Sequence, residues 1–161
     1  MESKYDQLKS DVYDEIDAIN QTLRELSALK TQLSTTTEVN NIQKAAIGTF
    51  LMNFYVGIEN ILKRICKVYY NKVPLGSSWH KELLELSFNP PNDKLLLIEK
   101  RLADKLNPYL GFRHVFVSGY GFKLKIELMN SLINNIDSIW DEFKKEIDQF
   151  WSSFESFSSA S

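Results

Sequence analysis

Residues 112–122 read Phe-Arg-His-Val-Phe-Val-Ser-Gly-Tyr-Gly-Phe. A guanidinium (Arg113), an imidazole (His114), a hydroxyl (Ser118) and a phenol (Tyr120) therefore fall close together in the chain. A helix-borne guanidinium can grip a phosphate through two parallel hydrogen bonds and offset charge on a pentacoordinate phosphorus. Spacing alone favours the more ordinary use in a structural ion pair, for example with Glu59. Imidazole titrates near neutral pH and can move a proton, whereas a serine hydroxyl is not basic there. Gly119 and Gly121 flank the phenol. They let the backbone leave helical geometry at little steric cost and leave the tyrosine open to modification. The competing reading is an ordinary tyrosine packed at a helix end.

The elements that must position this stretch are helical. Leu8, Val12, Ile16, Ile19, Leu23, Leu26 and Leu33 follow steps of three and four, which predicts a helix over residues 4–33. The hydroxyl-rich run 34–37 breaks it, and residues 38–71 predict a second long helix. Small residues there (Ala45, Ala46, Gly48, Gly57) predict close helix approach. Glu59 sits near its apolar face, and a buried carboxylate needs a partner, so a cation from another helix is expected. Lys63, Arg64, Lys67 and Lys72 make the end of this helix basic. Such a run is either a solvated face or a phosphate contact.

Ser78 is a predicted N-cap for a short helix from Trp79 to about Ser87. His80, in its first turn, is read mainly as packing or capping. Pro90-Pro91 breaks the chain again, and Asp93 is expected to cap a third long segment striped with Leu95, Leu96, Ile98, Leu102 and Leu106. Pro108 is expected to interrupt or kink it before residues 119–121 end it. Residues 123–151 predict a last helix, and 152–161 a flexible tail. The sum is an all-α bundle of four long helices plus a short one, forming a single domain over residues 1–151.

The 161 residues suffice for one real core, and 43% hydrophobic with 25% charged content is ordinary for a globular chain. A net charge of −2 gives no global attraction to nucleic acid, so any RNA contact needs a local basic cleft. The single cysteine, Cys66, excludes an intrachain disulfide framework and fits a reducing cytoplasm. No apolar run suggests a membrane span or a secretory leader. The sequence shows no phosphate loop, metal-spaced His/Cys cluster or Ser-His-Asp arrangement, and no cofactor is expected.

Residues 113–120 resemble the signature of the HEPN superfamily, in particular the HepT-like ribonuclease toxins: Arg, a polar residue, three variable residues, His, one residue, Tyr. Arg113, His114 and Tyr120 take the Arg, polar and Tyr positions, and Ser118 stands where the family has His. The segment 78–84 also looks like a recurring feature of such sequences. The resemblance implies a HEPN-like fold and a metal-independent endoribonuclease. In it the His would help deprotonate an RNA 2′-hydroxyl that attacks the adjacent phosphorus. With Ser118 in that place, cleavage is expected to be weak or absent. His114, the neighbour of Arg113, faces another way on a helix and is a limited substitute.

The resemblance further implies a homodimer whose two signatures form one RNA cleft, lined by Arg113, Lys123 and the Lys63, Arg64 and Lys67 group. The RNA would be tRNA or mRNA. It also implies a minimal nucleotidyltransferase antitoxin that transfers AMP to Tyr120. The alternatives are a non-catalytic HEPN-fold module that binds RNA or a partner, and a purely structural helical dimer.

Overall fold

The computed structural model describes residues 3–34, 38–118 and 125–159. Every element among them is helical: α1 (Lys4–Leu33), α2 (Asn41–Ile65) continued by a π-helical turn (Cys66–Tyr70), α3 (Trp79–Phe88), α4 (Lys100–Val117) and α5 (Ile126–Ser159). This is the expected all-α architecture of four long helices and one short one.

Helix α1 has its predicted bounds. Ser3 caps its start through a reciprocal box with Asp6, and its stripe from Leu8 to Leu26 is buried. Helix α2 starts later than predicted, at Asn41, because Asn40 and Gln43 form a second such box. Its π-helical end closes on Asn71, which adopts left-handed geometry at φ 56°.

Helix α2 is the central element and packs against every other helix. By length and composition, residues 41–70 would suffice to cross a membrane. Most of that apolar surface is instead committed to the core, where Leu51, Phe54, Tyr55, Ile58, Ile61 and Ile65 are fully buried. Two glycines set its spacing. A Cβ on Gly57 would lie 2.5 Å from Ile19 on α1, and one on Gly48 would collide with the ring of Phe116 on α4. The close approach expected of the small residues on α2 is therefore used on two sides.

Three expectations need correction. The third long helix does not begin at Asp93: residues 95–98 are non-helical, and α4 starts at Lys100 with Glu99 at its N-cap. The backbone of this strap is held by tertiary partners. The Tyr69 hydroxyl accepts from the Leu95 amide, the Tyr70 hydroxyl donates to the Leu95 carbonyl, and the amides of Leu97 and Ile98 share the Ser87 carbonyl. Pro108 does not interrupt α4, which runs through it to Val117. The last helix does not stop at 151 but continues to Ser159, with Phe154 edge-on to Tyr5 and Tyr69. Ser78 occupies the N-cap position of α3, as expected, but its side chain makes no capping hydrogen bond.

Candidate functional site

The site is built around Glu59. Its place on the inward face of α2 leaves the residue 1% exposed, and an isolated carboxylate at that depth would be strongly unfavourable. Two helices supply its partners. From α3, His80 Nδ1 lies 2.5 Å from Glu59 Oε2; from α4, Arg113 Nε lies 3.4 Å from Glu59 Oε1. The expected cation from another helix is thus present, together with an imidazole that sequence reasoning did not connect to Glu59. The pair anticipated between Arg113 and Glu59 is also formed.

The two contacts differ in kind. Nδ1 of His80 faces a carboxylate acceptor at hydrogen-bond distance, so that nitrogen carries the hydrogen. Arg113 Nε is within ion-pair range but makes no hydrogen bond. Among the described residues, the terminal nitrogens of Arg113 have no partner. The buried hydroxyl of Tyr55, which has no hydrogen-bond partner among the described residues, lies within the electrostatic reach of both Glu59 and Arg113. Burial first, and then the Glu59 charge, push this phenol far above its ordinary value of 10.0, against the pull of Arg113.

Outside the carboxylate the surface opens into a groove of 710 Å³. His80 and Lys81 of α3, and Asp104, Pro108, Arg113 and His114 of α4, are among its lining residues. The Asp104 charge is offset by Lys100 at 3.1 Å and that of Arg113 by Glu59, which leaves Lys81 as the unpaired cation among the described lining residues. Trp79 stacks on His80 with centroids 3.5 Å apart, and the ammonium of Lys63 sits 4.5 Å from the Trp79 ring centroid. A continuous line of contacts therefore runs from Lys63 through Trp79, His80 and Glu59 to Arg113.

Of the other predicted residues, His114 lines the groove and the rest fall elsewhere. Arg64 faces α1, 3.3 Å from Asp11 and 3.6 Å from Glu15. Lys67 is exposed on the π-helical turn. His114 and Ser118 are both exposed and belong together: the Ser118 hydroxyl donates to the His114 carbonyl at 2.7 Å, and the Ser118 amide donates to it as well. Because α4 is intact through Val117, a step of five residues separates Arg113 from Ser118 by about 140° around the axis. Within one subunit the two therefore do not share a face. Tyr120 and Lys123 lie outside the described residues. Among the described residues, no three His, Cys, Asp or Glu side chains are grouped to hold a metal ion.

The family model for HepT-like proteins matches residues 46–154, well over half of the chain and inclusive of α3, α4 and nearly all of α2 and α5. No curated protein and no solved structure matches the chain.

Proposed function

Because the chain belongs to the HepT-like protein family, we propose that it is a toxin-lineage, metal-independent endoribonuclease impaired at Ser118. In this reading Arg113 binds the scissile phosphate and Ser118 marks the place of a lost general base. A nucleotidyltransferase antitoxin neutralises the protein by moving AMP onto Tyr120. The acting form is a cytoplasmic homodimer with two signatures in one cleft, and the substrate is RNA, either tRNA or mRNA.

One observation carries the reading furthest. The Arg113 guanidinium is anchored through Nε to a buried carboxylate, while its terminal nitrogens have no protein partner among the described residues and lie at a groove with Lys81. That is the arrangement a bidentate phosphate clamp requires: one edge fixed, the other available. Phosphate on Tyr120 would compete for the same cation.

The test is RNA cleavage in EDTA by the natural chain and by Ser118→His. Restoring a general base is expected to raise the rate by about 10²–10⁴-fold. A Ser118→His protein that is folded and dimeric yet cleaves no RNA would remove the nuclease reading. The rival, a non-catalytic binding module, draws support from the Ser118 hydroxyl being engaged in capping its own helix. RNA binding without cleavage in both proteins, abolished by Arg113→Ala, would select it.

A further inference from the structure

We propose that His80, oriented by Glu59, is the proton acceptor through which the natural chain cleaves RNA. This rests on the ribonuclease reading above and assigns the base that Ser118 cannot supply.

The geometry is that of an acid–imidazole dyad. Glu59 Oε2 holds His80 Nδ1 at 2.5 Å. With that nitrogen committed as donor, Nε2 is the nitrogen left to accept a proton. The imidazole lines the same groove as Arg113 and is about a quarter exposed, so it is open to a ligand there. One carboxylate fixes both groups, Oε2 taking the imidazole and Oε1 the guanidinium, so base and phosphate clamp are held in register by a single buried residue. Trp79 closes one face of the ring by stacking, and Lys63 fixes Trp79 in turn. His114 also lines this groove, but among the described residues no carboxylate holds its ring.

In the step itself, the 2′-oxygen forms a bond to the adjacent phosphorus as its proton passes to His80 Nε2. The bond from phosphorus to the 5′-oxygen breaks, that oxygen takes a proton from water, and the hydroxide left takes the proton from the His80 imidazolium, which restores the base. The products are a 2′,3′-cyclic phosphate and a 5′-hydroxyl. Glu59 is a positioning residue: it selects the tautomer and stabilises the imidazolium formed.

The experiment uses the full chain, a single-stranded RNA oligonucleotide and EDTA, and compares the natural protein with His80→Asn, His80→Gln and Ser118→His. The natural chain is expected to yield cyclic-phosphate ends. Both His80 variants should lose about 10²–10⁴-fold in kcat with little change in KM. Equal cleavage by the natural chain and a folded His80 variant overturns the assignment. So does cleavage by Ser118→His alone, which leaves the ribonuclease reading standing. If neither protein cleaves, that reading fails and the dyad falls with it.

If both His80 variants misfold, ring ¹⁵N shifts of the natural protein decide. An Nδ1–H facing Glu59 is expected, with an Nε2 shift on adding a 2′-O-methyl oligonucleotide. The opposite tautomer, a ring protonated on both nitrogens, or an Nε2 that does not respond overturns the proposal.

Discussion

Glu59 has more depending on it than any other side chain of the site. It is almost wholly buried, and it serves as counter-charge to Arg113 and hydrogen-bond acceptor for His80. Glu59→Leu fills the volume but leaves both groups without their acceptor. Removing one member of a buried charged pair costs about 3–5 kcal/mol. Here the cost falls just below that range, because Arg113 and His80 keep a fifth to a quarter of their side-chain surface in water. Urea unfolding should therefore show a loss of about 2–3 kcal/mol. A triple variant that also carries Arg113→Met and His80→Leu should recover part of it. A loss below about 0.5 kcal/mol for Glu59→Leu alone would mean that the carboxylate is not buried as a charge. The sequence disclosed the need for a partner, since an acid sat on an apolar helix face. It did not disclose that there are two, because the second depends on how α3 docks. His80 offered only its helix position as a signal, and that position is equally typical of a capping residue.

At the scale of elements, what could be read from the sequence depended on where the backbone finds its hydrogen bonds. Helix α1 satisfies its own, so its stripe and its N-terminal box were enough to bound it. Residues 95–98, an apolar run of Leu-Leu-Leu-Ile in line with the stripe through Leu102 and Leu106, remain non-helical, because the hydroxyls of Tyr69 and Tyr70 and the carbonyl of Ser87 supply their partners. No local pattern encodes that. The last helix was extended beyond its visible stripe by contacts of Phe154 with aromatic rings from α1 and the π-helical turn. The glycines were more legible, since a small residue on an apolar helix face predicts a close neighbour. Gly57→Ala would place a Cβ 2.5 Å from Ile19, which is itself 2% exposed and has little room to move. We expect a loss of about 1–3 kcal/mol through overpacking, despite the better helix propensity of alanine. Ile19→Val in the same chain should return part of it. Thermal unfolding of the two single variants and the double variant checks this, and additive effects would show that the α1–α2 contact is not what makes alanine costly.

For the whole molecule, the question is how a chain of net charge −2 would hold RNA. One groove offers Lys81 and Arg113, the latter already countered by Glu59, too few charges for tight binding on their own. A two-fold assembly would double them. Val117 at the end of α4 and Leu128 near the start of α5 are 58% and 54% exposed. If these residues form the contact, Val117→Lys should raise the dimer dissociation constant at least tenfold, about 1.4 kcal/mol, while leaving the helical content unchanged. Sedimentation reads the first and circular dichroism the second. RNA binding should weaken in step, because half of the cleft departs with the partner. Arg113→Ala should act differently: the dimer persists, and two cations are lost per cleft. The slope of log K against log salt should then fall by about 1.4 for a single strand. A Val117→Lys monomer that binds RNA with undiminished affinity and an unchanged salt slope would show that each subunit works alone. The two-fold cleft would then have no part in what this protein does.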